Sequence, residues 1–364
     1  VTGDAYIDHP SFGISIMGRL LLALGLKVGI IAQPDWKNPS SLKILGRPRL
    51  CFATSSGNID SMLNIYTAGR RKRKSDDYSE DGKTGMRPPL AAIVYANLAK
   101  QAYPGCRVII GGIEASLRRI AHYDYWQDKI RPSILLDSKA DLLIYGMGER
   151  QILEAVQRMS SENSFHGIRG TARLAGARES ADIKRTEKYL ELPSYEEVKE
   201  NNEKLFESFS STEKEMNPYC GKTLLQKHGE RIVIIEPPQL PLSEKELDII
   251  YSLPYACRPH PIYKKTIPAY EMIKNSVTAV RGCPGACSFC SISLHQGKFL
   301  QSRSADSVLC EIRKLASAKK FGGTISDIGG PTANTYGSRQ KMTEACMNCR
   351  RASCLFPKIC ENFM

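Results

Sequence analysis

The sequence predicts an α/β protein in two parts, an open parallel sheet of Rossmann-like type followed by the start of a β/α barrel. Two observations predict it. Along residues 1–160, short apolar runs end in glycine turns, and residues at helical spacing follow each turn. Strand, turn and helix in repetition build a parallel sheet covered on both faces. From about residue 270 the same order returns, with a cysteine-rich loop in the place of the first turn. The 364 residues suffice for two or three domains. The expected division is 1–160 for the sheet domain, 161–265 for a charged linker subdomain, and 266–364 for the barrel start with a C-terminal cysteine group.

The first strand closes at Ala5–Ile7, and the loop Asp8–Gly13 follows. Ile14, Met17, Leu21 and Leu24 then recur at helical spacing until Gly25. Val28–Ala32 is nearly all apolar, as a strand buried on both faces would be. Leu50–Thr54 runs into Ser55-Ser56-Gly57, and Arg107–Ile110 into Gly111-Gly112. Leu142–Tyr145 runs into Gly146-Met147-Gly148-Glu149, and a helix carrying Ile152, Val156 and Met159 follows. Ligands of such sheets sit beyond the carboxyl ends of the strands, so the loops 8–13, 55–57 and 111–112 should line a crevice. Residues 68–89 are charged and nearly without apolar side chains, which predicts an exposed excursion. Its run Arg70–Lys74 reads as solvated. Arg118, Arg119, His122, Tyr123, Tyr125 and Trp126 mix cations with aromatics. That mixture can stack bases or bind phosphate, but the rim of a domain interface has the same composition and is the preferred reading.

In residues 161–265, Ser194 and Glu197 form a capping box ahead of a charged helix running toward Asn217, and Ser243 and Glu246 repeat it. Val233–Ile235 reads as a strand closed by Pro237-Pro238, and further prolines punctuate a connector. No chemistry is legible here.

The chemistry lies after residue 276. The apolar run Val277–Val280 leads into Arg-Gly-Cys-Pro-Gly-Ala-Cys-Ser-Phe-Cys, residues 281–290, placing Cys283, Cys287 and Cys290 at C-x3-C-x2-C spacing. Soft thiolates this close bind zinc or an iron–sulfur cluster. Structural zinc takes four ligands, whereas three on a four-iron cube leave one iron open. A helix with Val308, Ile312 and Leu315 follows, ending at Lys319-Lys320 and Gly322-Gly323. Strand Thr324–Ile328 then ends in Gly329-Gly330-Pro331-Thr332. Barrel active sites lie at such strand ends. A second group, Cys346, Cys349, Cys354 and Cys360, would fill a zinc shell or close an auxiliary iron–sulfur cluster. Spacing does not choose between these two.

Of twelve cysteines, seven stand in these two groups, and no secretory signal precedes them. That usage reads as metal binding in a reducing, cytoplasmic compartment. No membrane span is expected, because Arg19 and Lys27 break the most apolar early stretch. The net charge of +13 permits a nucleic-acid or phosphate-bearing partner.

With Phe289 in the aromatic place, the loop resembles the C-x3-C-x-aromatic-C signature of the radical S-adenosylmethionine (SAM) enzymes. Val277–Cys290, His295, Gln301–Ser304 and Asp327–Asn334 resemble the YgiQ family of that superfamily. So do Arg73–Asp77, Gly111–Arg118, Tyr145–Glu149 and the second cysteine group, which carries the resemblance over nearly the whole chain. It implies a [4Fe–4S] cluster on Cys283, Cys287 and Cys290 with SAM on its open iron, Phe289 near the adenine, and Gly329 and Gly330 at the methionine end. The superfamily ends this strand in Gly-Gly-Glu; Pro331 replaces the Glu here, so Asp327 is expected to supply the acceptor. His295 and Arg303 are candidate supporting groups. The implied reaction is reductive cleavage of SAM to a 5′-deoxyadenosyl radical. A reductase or flavodoxin-type protein would donate the electron, and a small molecule or an RNA would be the substrate.

The first domain also resembles the cobalamin-binding domains that precede many radical SAM barrels. Their D-x-H-x-x-G motif is not met, since Asp8 and His9 are adjacent. His9 therefore reads as an ordinary loop residue, and cobalamin is left open. Two rival functions stand beside the main one: a radical SAM methylthio- or methyltransferase acting on RNA, and a non-enzymatic, zinc-stabilised nucleic-acid-binding module. Only two barrel strands are read before Met364, so a truncated barrel is expected.

Overall fold

The computed structural model describes residues 1–161, 164–186, 188–318, 321–330 and 335–364. Lys319-Lys320 and Pro331–Asn334, which figure in the expectations above, lie outside the described residues.

Seven strands form the main sheet: β1 (Phe52–Ser55), β2 (Val108–Gly111), β3 (Leu142–Ile144), β4 (Thr171–Ala175), β5 (Tyr189–Leu192), β6 (Thr223–His228) and β7 (Arg231–Ile235). Their order is β1-β2-β3-β4-β7-β6-β5. β1, β2 and β3 run parallel, as their apolar runs and glycine turns predict. Four helices matter for the site: α1 (Gly13–Ala23), α2 (Ala91–Ala102), α3 (Gly112–Leu117) and α4 (Glu149–Ser161). α2 presents Ala92, Ala96 and Ala99 to one core, and these small side chains let it pack closely with Tyr95 inserted. α4 covers another core with Ile152, Ala155 and Val156, joined by Met17 and Leu21 of α1.

The structure departs from expectation in five places. The sheet is mixed, because residues expected as a linker subdomain supply β4 to β7. β4 lies antiparallel to β3 and β7, and β7 to β6, while β5 and β6 are parallel. Buried Ala172, Leu224, Val233 and Ile235 join the same core as β2 and β3, which the intervening charged helices mask in the sequence. Both capping boxes form, and the charged helix breaks at Asn201 into Tyr195–Glu200 and Asn202–Lys214. Val28–Ala32 is not a strand. Thr2 bridges to both Ala32 and Ser55, and single bridges do not extend into a ladder. Ile7–Asp8 pairs antiparallel with Arg258–Pro259 and stays outside the main sheet. The charged excursion is exposed at Arg70–Lys74, but Asp76, Ser79 and Arg87 fold back and are buried. Arg87 meets Asp4 and Asp76 there, since a buried guanidinium needs paired acids.

The second part holds α5 (Glu244–Ser252), β8 (Ser276–Thr278), β9 (Val280–Arg281), α6 (Ile292–Gln296), β10 (Gln301–Ser302), α7 (Ala305–Ala316) and β11 (Asp327–Gly329). β8 and β11 are parallel and β9 and β10 antiparallel. Val308, Ile312 and Leu315 of α7 pack on Val277 and Ala279, so the helical period read from the sequence faces these strands. No helix among the described residues is long and apolar enough to cross a membrane.

Candidate functional site

The cysteine loop leaves β9 through Gly282, whose φ of +90° and close approach to the Phe299 carbonyl suit only glycine. Gly282 N–H donates to Gln296 Oε1 at 3.0 Å, and Cys283 N–H to the Gly297 carbonyl at 3.0 Å. The loop is thus tied at its base to the end of α6. A Cβ on Gly285 would lie 3.5 Å from Cys283 Sγ and 3.7 Å from Cys287 Sγ, ordinary contact distances, so both sulfurs lie near this point of the loop. Gly285 N–H points at Cys283 Sγ from 3.5 Å. Cys287 is exposed, Cys283 and Cys290 are half-buried, and Phe289 is 91% exposed. Among the described residues no three donors converge as around a single ion. A four-iron cube asks for something else, one thiolate at each of three separate corners. Three thiols on one accessible loop with an amide turned toward a sulfur fit such a group.

β11 ends at Gly329-Gly330. A Cβ on Gly330 would come 2.5 Å from the Val280 carbonyl, and Ala279 N–H donates to the Gly329 carbonyl at 2.6 Å. Exposed Asp327 turns Oδ1 to within 3.5 Å of where a Gly329 Cβ would stand, so its carboxylate lies over the glycine. Asp327, Gly329 and Gly330 share the wall of a cavity of about 1540 Å³ with Gly57, Gly112 and Gly148 from the turns after β1, β2 and β3. The crevice expected beyond those strand ends is therefore formed, and it opens onto β8 and β11. The three thiols and Phe289 do not line it.

Two contacts join the sheet domain to the loop. Arg281 is 3% exposed; its Nη1 donates to Glu149 at the start of α4 and its Nε to Tyr251 Oη at 3.0 Å. Burial works against the Arg281 charge, but Tyr251 and Glu149 outweigh it and raise the pKa. His295 Nδ1 lies 3.0 Å from Ser116 Oγ. That hydroxyl donates to the Gly112 carbonyl at 2.9 Å and accepts from Gly146 N–H at 3.2 Å. The proton in the His295–Ser116 bond therefore belongs to Nδ1. Burial and the nearby Arg119 charge hold the His295 pKa down to about 4, which keeps the ring neutral. Arg303 spends its guanidinium on the Thr278 carbonyl, Ser307 and Glu311, fastening β8 to α7. His9 is buried in its loop, accepting from Ser11 N–H at 3.1 Å.

The second cysteine group packs against the first loop. Cys354 N–H and Ser353 Oγ both donate to the Pro284 carbonyl, at 2.9 and 3.1 Å. Asn217 Nδ2 reaches the carbonyls of Cys346, Met347 and Cys349 at 3.0, 3.3 and 2.9 Å. Lys298 Nζ donates to the Arg351 carbonyl at 2.6 Å. Cys346 and Cys354 are buried, and burial pushes the Cys354 thiol pKa up. Asn217, Lys298 and the Arg281–Glu149 pair escape sequence reasoning. The one local signal is position, Glu149 just past a glycine turn and Arg281 just before the cysteines.

Residues 1–276 match the family described as Radical SAM N-terminal. A UPF0313 protein of Geobacter sulfurreducens is 50% identical over 99% of this chain and 60% of its own length. UPF0313 proteins of Thermotoga neapolitana and Clostridium botulinum are each 48% identical, over 63% and 56% of their lengths. The chain thus spans less than two thirds of the curated relatives it matches. Among solved structures, the radical SAM methyltransferase TsrM of Kitasatospora setae, with tryptophan and a SAM analogue bound, aligns at a TM-score of 0.47 and 14% identity, over 91% of this chain and 47% of that one.

Proposed function

This chain belongs to the Radical SAM N-terminal family and, with its UPF0313 relatives, to the YgiQ family of radical SAM proteins, and on that premise we propose that it carries the cluster and SAM sites of a radical SAM enzyme. Cys283, Cys287 and Cys290 would hold a [4Fe–4S] cluster, and Asp327, Gly329 and Gly330 would receive the methionine end of SAM. When bound, such a cluster supplies the electron that splits the sulfonium C–S bond into methionine and a 5′-deoxyadenosyl radical.

The chain's own part is placement. Gly282 lets the loop close, and Arg281 with Glu149 fixes its root against the sheet domain. Gly330 lets β11 approach β9, and the Asp327 carboxylate offers an acceptor to an ammonium group in place of the missing Glu. The observation that carries the reading is the three-thiol loop, adjoining the parallel strand pair that ends in Gly329-Gly330. The electron would come from a reductase or flavodoxin-type donor, and the second cysteine group would hold an auxiliary cluster, or zinc only with its four thiols drawn closer together. Phe289 would cover the adenine only with the loop turned inward from its exposed position.

The test is anaerobic reconstitution with iron and sulfide, followed by SAM cleavage under dithionite. Four irons per chain above any held by the second group, lost in Cys283→Ala, Cys287→Ala and Cys290→Ala, are expected. A colourless protein that binds only zinc would overturn the reading. SAM cleavage is best assayed on a chain as long as the relatives, with the same substitutions.

A further inference from the structure

The cationic run Arg70–Lys74 is a built turn. Tyr66 bridges antiparallel to Lys72, Thr67 N–H donates to the Arg71 carbonyl at 2.8 Å, and Arg73 N–H donates to the Ile65 carbonyl at 2.8 Å. Arg70 holds a φ of +59°, a left-handed conformation that costs any residue but glycine. Its guanidinium lies 4.5 Å from the centre of the Tyr125 ring, and Tyr125 Oη donates to the Ala68 carbonyl at 2.8 Å. These contacts pin the turn to a hairpin made of His122–Asp124 and Lys129–Arg131. All five cations of the run are exposed, and among the described residues none forms an ion pair. Like charges fixed side by side repel one another, and a polyanion laid across them would offset that repulsion.

The hairpin adds flat surfaces beside the charges. His122 and Asp124 are buried, whereas Tyr123 and Tyr125 stay 44% and 43% exposed, so no interface among the described residues covers these rings. Both phenols are tied down, Tyr123 to Asp128 and Tyr125 to the Ala68 carbonyl. Arg70 also lies beside the Tyr123 hydroxyl. The rings are therefore already in place, and stacking on them costs little conformational freedom.

We propose that the turn and the hairpin bind a single-stranded nucleic acid, phosphates on Arg71–Lys74 and bases on the rings of Tyr123 and Tyr125, with the Arg70 guanidinium completing the stack. Fixed cations next to open aromatic faces match a strand whose bases are unpaired. An acidic protein would use the charges and leave the rings idle, and a duplex keeps its base faces hidden. The loop that carries the turn leaves the crevice wall at Asn58 and rejoins it at Tyr78, so surface and crevice are joined by one segment. RNA and DNA share this chemistry. The surface stands apart from the radical reading and does not depend on a cluster being bound.

Fluorescence anisotropy of the full chain tests the proposal with four labelled probes: an unstructured mixed-sequence RNA of about twelve nucleotides, DNA of the same sequence, its duplex, and polyglutamate. Saturable micromolar binding of at least one single strand is expected at physiological salt, and whichever binds tighter names the sugar. With about four phosphates met, log affinity should fall against log salt with a slope of about −3. Arg71→Glu with Lys72→Glu should weaken binding at least tenfold and make that slope shallower by about 1.4. Tyr123→Ala should weaken it about tenfold and leave the slope unchanged. Arg313→Glu with Lys314→Glu, the same charge change on α7, should leave binding unchanged, as should Cys283→Ala. The proposal is overturned if neither single strand binds, if the duplex or polyglutamate binds as tightly, if the α7 variant weakens binding as much as the turn variant, or if Tyr123→Ala has no effect.

Discussion

Gly330 shows how much one missing Cβ decides. Its backbone passes so close to Val280 that an added methyl would stand 2.5 Å from the carbonyl oxygen. Gly330→Ala should push β11 off β9, with the ~1–3 kcal/mol loss of an overpacked contact; urea unfolding measures the cost and equilibrium dialysis the expected fall in SAM affinity. Asp327→Asn tests the acceptor directly. It removes charge at an exposed position, so stability should hold while SAM binding weakens, and unchanged binding would remove Asp327 from the site. Asn217→Leu withdraws a buried amide from three carbonyls of the second cysteine group. A loss of ~1–3 kcal/mol is expected, with faster proteolysis after residue 340. At this scale the sequence was legible where chemistry needs a local spacing, in the thiols and the glycine pair. It was silent on Asn217, whose partners lie 129 to 132 positions away and leave no periodic trace.

Among elements, the joint between α4 and β9 bears the most consequence. Arg281 and Glu149 are each only 4% exposed at the side chain, so removing one leaves a buried charge without its partner. Arg281→Ala or Glu149→Ala should each cost ~3–5 kcal/mol. A double-mutant cycle should show strong coupling, and additive losses would show that the two charges do not depend on each other. Reconstituted iron should fall in both, since the root of the thiol loop loses its anchor. The parallel strands β1 to β3 were readable because each couples an apolar run to a glycine turn. Of β4 to β7 only Val233–Ile235 was readable, since charged helices flank the others. Val28–Ala32 has the composition of a strand but not the neighbours, because the chain's first residues lie between it and β1.

For the whole molecule, acid is the revealing variable. Four of six histidines, His9, His122, His228 and His295, are held down to about 4 from 6.5, in each case chiefly by burial. The unfolded chain takes up these protons first as pH falls. Their contribution is therefore full above pH 6.5 and is lost on the way down to about 4. Asp4 opposes them: burial raises it from 3.8 to about 6, so its contribution is full below 3.8 and lost as pH rises through 6. Burial raises Glu114 and Glu311 as well, so four rings stand against three carboxyls; the melting temperature should fall between pH 6.5 and 4.5, and His228→Gln should flatten that slope. A flat profile for the unsubstituted chain would mean that these rings are charged in the fold. Composition indicated a basic chain, but which histidines lie inside depends on the tertiary fold alone. The first strand carries a different kind of consequence. Ile7–Asp8 pairs with Arg258–Pro259, and Tyr6 N–H reaches the hydroxyl of Tyr263, 257 positions on. During synthesis, Tyr6 to Asp8 must wait for Arg258 to Tyr263 before they can be seated. Contacts of such span close slowly, so pulse-labelled hydrogen exchange should find residues 5–8 protected well after β1 to β3, and until then Ala5 and Ile7 stay uncovered, which is where a chaperone would be needed.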